Sequence, residues 1–336
     1  MSDEIFTVIG ATGAMGRPVV KHLLADATLQ ARVRVVTRDQ NSGEARSLAA
    51  LAPARVEFVE GLASDPAVVQ AAVAGAFGVF CNTNFFAAVS VEAEYAEGVA
   101  WLEAARSAGV EHFIWSSLDS MGGLSHGRLP CPHFDAKAAV GAYIDRRRAD
   151  DYMRRGLPGF AGDAWYLEHT STLVTLPYIE NFKGFFRPYP GKLSDGRDGL
   201  VWTVPLGDAA LPMVALDDIG AFAALIFRDP AWRGRTLPIG SETLTMHQVA
   251  EIFTRVTGVP SEYHPMSLED FSRLPIPFMH DFLHMMRFFR EVGLSRDHAH
   301  LRDLHPGLRS FETWLRETGW RGETEQVFKS AAEVRA

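Results

Sequence analysis

Three glycines spaced three residues apart, Gly10, Gly13 and Gly16, constrain the fold of this chain more than any other feature. A short apolar run precedes them, and a segment with helical spacing of apolar residues follows. In such a strand–turn–helix, the first glycine allows the tight turn, the second lets backbone amides approach a pyrophosphate, and the third lets the helix pack on the strand. The helix N-terminus adds free N–H groups and partial positive charge. We therefore predict that a dinucleotide diphosphate is bound by Gly10, Thr12, Gly13, Ala14, Met15 and Gly16.

The first 160 residues alternate between segments typical of strands and segments typical of helices. Short apolar runs predict strands at residues 5–10, 33–37, 56–60, 77–81 and 113–116. Strands that are apolar almost throughout indicate a parallel sheet covered by helices on both faces. We therefore predict an α/β fold, a Rossmann-type doubly wound parallel sheet.

The second half of the chain is expected to complete the sheet and to add a smaller lobe. The predicted elements are strands at 172–176, 200–205 and 236–239 and helices at 217–228 and 245–257. Asp217 or Asp218 is the expected cap of the first of these helices. We divide the chain into a dinucleotide-binding core, residues 1–160, and a segment with the remaining core strands and a mostly helical lobe, residues 161–336. We expect the lobe to cover the carboxyl ends of the strands, where ligands bind in doubly wound folds.

Composition narrows the partners and the location that we expect. A net charge of −8 does not suit a surface that neutralises nucleic-acid phosphates, so we expect no direct nucleic-acid binding. The two cysteines, Cys81 and Cys131, make no disulfide framework; we assign both to packing and expect a cytoplasmic location. We expect neither a signal peptide nor a membrane span, because the first residues are acidic and no apolar run is long enough.

The end of the second predicted strand bears on the choice of cofactor. Arg38 lies about 20 positions after the glycine loop, where NAD-specific sites usually carry an acidic residue that binds the ribose hydroxyl. An arginine there favours the 2′-phosphate of NADP, which a guanidinium binds through two parallel hydrogen bonds. Asp39 follows immediately and would favour NAD if it faced the ribose. We therefore predict NADP(H), with NAD(H) as the less favoured alternative.

Small polar residues follow the fourth predicted strand. Thr83 and Asn84 lie where side chains at the carboxyl edge of a sheet can bind the nicotinamide ribose or amide. The alternative is a turn in which asparagine makes local backbone hydrogen bonds.

Two residues of one predicted helix are candidates for chemistry. In short-chain dehydrogenases a tyrosine exchanges a proton with the substrate, and a lysine four residues later lowers the tyrosine pKa and grips the ribose. Here Lys137 is present, but His133 occupies the tyrosine position. Histidine can act as a general acid near neutral pH, yet it could equally cap the helix or contact the cofactor. Ser116 or Ser117, at the end of the fifth strand, could bind a substrate carbonyl.

Histidines near the C-terminus have spacing that can bind a metal, since His280 and His284 lie four apart on a predicted helix. No carboxylate completes a zinc motif, and the neighbouring residues are Phe and Met, which are typical of a core or an apolar pocket lid. We expect no metal site.

Together these segments resemble the NmrA-like family of atypical short-chain dehydrogenases over nearly the whole chain. The resemblance is carried by residues 10–16, 35–38, 83–85, 133–137, 176–182, 211–213, 217–220, 278–293 and 310–318. It implies a Rossmann fold that binds NADP(H). Beyond the glycine loop, the cofactor contacts implied are Arg38, Thr83, Asn84, Lys137, Tyr178, Ile179, Glu180 and Asn181.

Members of the family divide into NADPH-dependent reductases and non-catalytic NADP(H) sensors that bind other proteins. This chain departs from the sensor pattern at Ala96, where sensors carry a lysine, and at residues 159–169, which look like an insertion near the substrate. The inserted Trp165, Tyr166, Glu168 and His169 would suit a pocket wall, and the alternative is a surface loop. We therefore favour a reductase of a small apolar or aromatic carbonyl, quinone or enone. The alternative is a redox sensor that regulates a protein partner; a homodimer is compatible with either.

Overall fold

The computed structural model describes residues 4–159 and 162–327, which form twelve strands among the described residues. In chain order the strands are β1 (Ile5–Ile9), β2 (Arg32–Thr37), β3 (Val56–Glu60), β4 (Gly78–Cys81), β5 (His112–Ser117), β6 (Thr170–Val174), β7 (Tyr189–Lys192), β8 (Asp198–Trp202), β9 (Ala210–Met213), β10 (Thr236–Pro238), β11 (Glu242–Thr245) and β12 (Ser261–Tyr263). Seven of them form one sheet in the order β10-β6-β5-β4-β1-β2-β3, and every neighbouring pair is parallel. The predicted doubly wound parallel sheet is confirmed.

Helices follow the strands and cover both faces of this sheet. In chain order they are α1 (Gly16–Ala25), α2 (Gly43–Ala49), α3 (Pro66–Val73), α4 (Phe85–Ala88), α5 (Val91–Ser107), α6 (Met121–Leu124), α7 (Pro132–Arg155), α8 (Trp165–His169), α9 (Leu216–Arg228), α10 (Met246–Thr257), α11 (Leu268–Ser272), α12 (Met279–Glu291), α13 (His298–Leu304) and α14 (Phe311–Thr318). Short 3-10 helices lie at Ile179–Lys183 and Pro230–Trp232.

Two hydrophobic cores lie between the helices and the sheet. On one face α1, α2 and α9 bury apolar side chains, and the close packing of α1 on α9 occurs at Gly220, where a Cβ would lie 2.5 Å from the Pro18 carbonyl oxygen. On the other face α3, α5 and α7 pack around Trp101 and Trp115. The crossover from one face to the other falls between β1 and β4, and ligands of doubly wound folds bind in the crevice outside the carboxyl ends of the strands at such a point.

The lobe has a third core and more strand structure than the sequence predicts. Its hydrophobic cluster joins α10, α12 and α14 to the strands β8 and β9 around Trp202 and Phe311. The strands β12, β8 and β7 form a small sheet, and β9 pairs with β11. Four Phe and Met residues beside His280 and His284 are buried in α12, which confirms that they belong to the core: Met285, Met286, Phe288 and Phe289.

Two strands are shifted from their expected positions. The strand expected at residues 172–176 lies at Thr170–Val174, and the one expected at 200–205 lies at Asp198–Trp202. The expectation that Asp217 or Asp218 caps α9 is wrong, because the N-cap is Ala215 and no side chain caps it. Asp218 is instead fully buried and paired with Arg309 at 2.7 Å, since a long-range ion pair competes for the carboxylate.

The position expected for the inserted segment is also wrong. Trp165 donates from Nε1 to the Val110 carbonyl at 3.0 Å, and His169 Nδ1 lies 2.9 Å from the Glu111 carbonyl oxygen. Both carbonyls precede β5, so α8 lies at the amino ends of the strands, opposite the glycine loop. A cavity of about 330 Å³ beside α8 shares that position. Phe160 and Ala161, where the predicted domain division also falls, lie outside the described residues.

Across the described ranges, no helix has both the length and the apolar character needed to cross a membrane.

Candidate functional site

The glycine loop has the geometry of a compact strand-to-helix turn. Gly10 adopts a φ of +78°, in the left-handed region that favours glycine, and its carbonyl accepts a hydrogen bond from Gly13 N at 3.0 Å. A Cβ on Gly16 would overlap the Gly10 carbonyl and lie 2.6 Å from Ala11 Cα. The first turn of α1 therefore approaches the loop backbone more closely than any side chain permits. Thr12, Gly13 and Ala14 lie ahead of the helix N-terminus, where backbone N–H groups can meet phosphate oxygens.

The loop after β4 packs against the glycine loop. A Cβ on Gly10 would lie 2.8 Å from the Asn82 carbonyl oxygen, so the two loops touch through their backbones. Thr83 is buried, whereas Asn84 is exposed and accepts a hydrogen bond from Phe86 N at 3.1 Å as the cap of α4. The Asn84 side chain thus makes a local backbone hydrogen bond, as expected for the turn that was the alternative to a cofactor contact.

Arg38 and Asp39, the two residues that bear on the choice between NADP and NAD, follow β2 and have different surroundings. Arg38 is exposed at the carboxyl end of the strand. The Asp39 carboxylate accepts a hydrogen bond from Asn41 N at 2.7 Å, and the Asp39 backbone is bonded to the Thr37 side chain. One oxygen of the Asp39 carboxylate is therefore used within its own turn.

Lys137 is held in a buried network with a second charged residue, Glu94, which the sequence does not predict as a site residue. Its Nζ lies 2.9 Å from Glu94 Oε1, 2.8 Å from the Thr83 carbonyl oxygen, 3.1 Å from Thr83 Oγ1 and 3.3 Å from Asn82 Oδ1. Thr83 also donates from Oγ1 to Glu94 at 2.5 Å. Glu94 is almost completely buried on α5, and nothing in its local sequence distinguishes it from a solvated helix glutamate. The network ties α5, α7 and the loop after β4 together at the edge of the crevice.

The two serines at the end of β5 make hydrogen bonds inside the protein. Ser116 donates to Met15 Sδ at 3.1 Å, and Ser117 donates to the Lys137 carbonyl at 3.2 Å. Both are buried. These hydrogen bonds join the strand to α1 and α7, and the role of the serines as donors to a substrate carbonyl stays a prediction.

His133 lies at the start of α7 and is paired with an aspartate from the lobe. Its Nδ1 is 2.5 Å from Asp281 Oδ2, and Cys131 donates from Sγ to Asp281 Oδ1 at 3.0 Å. Asp135 fixes this helix start, because its carboxylate accepts from Cys131 N at 2.7 Å and from Gly122 N at 2.9 Å. Asp281, which the sequence does not predict as a site residue, lies in the first turn of α12 and is 1% exposed.

Burial and hydrogen bonding shift the pKa of Asp281 in opposite directions. Burial acts to raise the pKa of Asp281, but the hydrogen bonds from His133 and Cys131 outweigh it and keep the pKa below its ordinary value. Burial raises the pKa of the Cys131 thiol, and the Asp281 charge raises it further. Asp281 is therefore a carboxylate beside a neutral thiol. Assigning Cys131 to packing alone was wrong, since its Sγ lies 3.5 Å from His133 Nδ1.

Aromatic rings pack around the His133 imidazole. Phe86 of α4 and Phe282 of α12 stack with ring centroids 6.0 Å apart, and each lies within 6 Å of the His133 ring centroid. Phe185 packs against Phe282 from the lobe. Within residues 4–159 and 162–327, His133 Nε2 has no hydrogen-bond partner. The site therefore combines one unengaged imidazole nitrogen with an apolar, aromatic wall.

The segment after β6 contributes mainly to the interior. Ile179 is fully buried, and the Glu180 carboxylate accepts from Leu216 N and from Trp314 Nε1, both at 3.1 Å. Burial raises the pKa of Glu180 despite these hydrogen bonds. Tyr178 and Asn181 are partly exposed. Of the four residues expected to contact the cofactor, Ile179 and Glu180 have only their backbones left for that role.

The C-terminal histidines do not gather into a cluster. His284 Nδ1 lies 2.7 Å from the Pro130 carbonyl oxygen, and His280 is exposed on the same helix. His298 and His305 are hydrogen-bonded separately to Thr243 and Asp218.

Comparisons with known proteins show similarity over nearly the whole chain. The NmrA-like family model matches residues 2–158 and 163–315. An NmrA-like family domain-containing oxidoreductase, hkm9, of Aspergillus hancockii is 30% identical over 288 residues, which cover 83% of this chain and 81% of the relative. An NmrA-like family domain-containing protein of Dictyostelium discoideum is 26% identical over 96% of this chain and 99% of its own length.

Two solved structures share the fold. The negative transcriptional regulator NmrA, in complex with NAD, superposes with a TM-score of 0.72 at 22% identity, covering 94% of this chain and 95% of the regulator. The NADPH-dependent quinone oxidoreductase QOR2 of Escherichia coli, in complex with NADPH, gives a TM-score of 0.68 at 18% identity, covering 94% of this chain and all of the other.

Proposed function

This chain belongs to the NmrA-like family, and from that premise we propose that it is an NADPH-dependent reductase of a small apolar or aromatic carbonyl, quinone or enone. The observation that carries the proposal is the environment of His133, whose Nδ1 is bonded to a buried aspartate and whose ring packs against aromatic rings. Relatives named NmrA-like oxidoreductases support a reductase over a sensor.

The residues of the crevice fit a nicotinamide dinucleotide. The backbone of residues 10–16 offers a cradle in which a Cβ at Gly16 would not fit, and the N-terminus of α1 follows it. The cofactor structures of NmrA and of the quinone oxidoreductase, which share this fold, support such a ligand. Thr12, Ala14, Thr83, Asn84, Tyr178 and Asn181 remain proposed contacts.

We prefer NADP(H) to NAD(H) on the chemistry at the end of β2. Arg38 is exposed there and carries the charge that a 2′-phosphate needs. Asp39, the residue that would favour NAD, already accepts a hydrogen bond from Asn41 N. A ribose hydroxyl would share the Asp39 carboxylate with that bond.

The proposed mechanism divides the work between cofactor and protein. When bound, the nicotinamide supplies the hydride. His133 donates a proton from Nε2 to the substrate oxygen, while Nδ1–H stays hydrogen-bonded to Asp281 before and after the transfer. The Asp281 carboxylate stabilises the charged imidazolium and holds the ring in one orientation. Phe86 and Phe282 exclude water and present faces against which an aromatic substrate can stack.

Lys137 has a positioning role in this mechanism. Its ammonium group is engaged by Glu94, Thr83 and Asn82, so it fixes the loop after β4 against the glycine loop. In a site with histidine at the tyrosine position, no phenol remains whose pKa the lysine would lower.

Oxidation of NADPH in the presence of quinones, enones and aromatic aldehydes tests this proposal. We expect turnover on at least one class and its loss in His133→Gln, with NADPH affinity retained. If the protein binds NADPH but turns over none of them, the reductase is contradicted. The sensor is then favoured, and unequal affinities for NADPH and NADP⁺ would be its signature.

A further inference from the structure

The Cys131–His133–Asp281 cluster joins three different metal-ligating side chains. One donor atom from each, Sγ, Nδ1 and a carboxylate oxygen, lies within 4.8 Å of the other two. We propose that this cluster is a binding site for one thiophilic divalent cation, with Zn²⁺ as the ion that the donor set fits. The site goes beyond the proposed reductase, which uses no metal.

The donor atoms suit zinc in type and spacing. Zinc binds cysteine sulfur at about 2.3 Å and histidine nitrogen or carboxylate oxygen at about 2.0–2.2 Å. Donors on a tetrahedral ion therefore lie roughly 3.2–3.8 Å apart. The observed separations are 3.5 Å for Sγ–Nδ1, 3.0 Å from Sγ to one carboxylate oxygen, Oδ1, and 2.5 Å from Nδ1 to the other, Oδ2. An ion bound by one of these oxygens is accommodated when the Asp281 carboxylate moves away from the imidazole and the thiol by about 1 Å.

Charge also favours a divalent ion. With the thiol deprotonated and the imidazole neutral, the cluster supplies one thiolate and one carboxylate, which together neutralise a 2+ ion. Binding releases the thiol proton, and the imidazole proton if present, to solvent. Cys131 and Asp281 are buried, and the rings of Phe86 and Phe282 face the imidazole, so the attraction is little screened.

The ligands are held in place before an ion arrives. Cys131 and His133 lie two residues apart at the start of α7, which Asp135 secures, and Asp281 comes from the first turn of α12. No fourth histidine, cysteine or carboxylate joins them among the residues described. The coordination would therefore keep an open position for water or substrate, as in catalytic rather than structural zinc sites. The side chain of His133 is 13% exposed, which gives an ion a route in.

An ion at this site would replace the His133–Asp281 hydrogen bond. Zn²⁺ is therefore expected to inhibit NADPH oxidation, a consequence that rests on the proposed function, whereas the site itself does not. A direct measurement of ion binding, made without turnover, tests the metal site independently of the proposed reductase.

Titration of the full, chelator-treated chain with Co²⁺ tests the site, because a thiolate ligand to Co²⁺ gives a near-ultraviolet charge-transfer band. We expect a band that saturates at one equivalent and is displaced by Zn²⁺. Cys131→Ser should abolish the band, and Asp281→Asn should weaken affinity about tenfold or more. Cys81→Ser is the matched control, since Cys81 is also buried but lies outside the cluster, and it should leave the band unchanged.

A missing charge-transfer band in the wild-type chain, or one that persists in Cys131→Ser, overturns the proposal. Asp281→Asn keeps the test valid if the serine variant fails to fold. Co²⁺ binding with undiminished NADPH oxidation supports the site and contradicts the proton-donor role of His133.

Discussion

His133 and Asp281, 148 positions apart in the chain, are joined by a 2.5 Å hydrogen bond between Nδ1 and Oδ2. The bond connects the start of α7 in the dinucleotide-fold core to the first turn of α12 in the lobe. It orients the imidazole of His133, which occupies the position where short-chain dehydrogenases carry a tyrosine. In the proposed mechanism, the lobe therefore contributes a charged group as well as an apolar wall.

Replacing His133 tests the proton donor. We expect His133→Gln to lower kcat about 10²-fold or more, the scale of general acid catalysis, with little change in NADPH affinity. His280→Gln is the matched control, because His280 is exposed on α12. Steady-state kinetics with calorimetry separates the two effects. Equal kcat values for the two variants would contradict the assigned role.

Arg38→Gln tests cofactor choice. Losing a charge-assisted hydrogen bond to a phosphate costs about 1.5–3 kcal/mol, so NADPH affinity should fall roughly 10- to 100-fold while NADH affinity stays nearly constant. Arg154→Gln, at an exposed position near the far end of α7, should change neither. Equal losses for both nucleotides would refute phosphate recognition by Arg38.

Glu94→Gln tests the buried network. The variant removes the charge that faces Lys137 at 2.9 Å, so the free energy of unfolding should fall by about 1–3 kcal/mol and NADPH should bind more weakly. Glu92→Gln, exposed on the same helix, should stay within about 0.5 kcal/mol of wild type. Urea unfolding gives both values, and indistinguishable variants would argue against a supporting role for Glu94.

The sequence predicts the parts of this protein that depend on local pattern. The glycine loop was predictable because Gly10 needs a positive φ and Gly16 a backbone contact, and the sheet was predictable from its uniformly apolar strands. The pairings of His133 with Asp281 and of Lys137 with Glu94 were not, since they depend on how distant helices pack. The position expected for the insertion at residues 159–169 was wrong, although the direction of the chain could have corrected it. A segment that directly precedes the parallel strand β6 must lie at the amino end of that strand.

His112 gives a prediction about stability and pH. Burial lowers the pKa of His112 to about 3, with Arg233 and other nearby cations adding to the effect. The unfolded chain binds this proton below pH about 6.5 and the folded chain does not, so stability is complete above that pH and declines as the pH falls toward 3.

Between pH 7 and pH 5 this difference amounts to about 2 kcal/mol of unfolding free energy. Urea unfolding of wild type and His112→Gln at both pH values isolates it, because the variant lacks the titrating group. An exposed histidine variant, His300→Gln, should follow wild type. A wild-type loss no larger than that of His112→Gln would show that His112 is not buried in its neutral form.

Calorimetric titration of NADPH into wild type, Gly16→Ala and Gly43→Ala tests the central claim, that the loop after β1 cradles the nucleotide diphosphate. A Cβ at Gly16 would overlap the loop backbone, whereas one at Gly43 would meet nothing within 4 Å. We predict that wild type and Gly43→Ala bind NADPH alike and that Gly16→Ala loses most of its affinity while remaining folded. Unchanged affinity in Gly16→Ala, or no NADPH binding by the wild-type chain, would contradict the account.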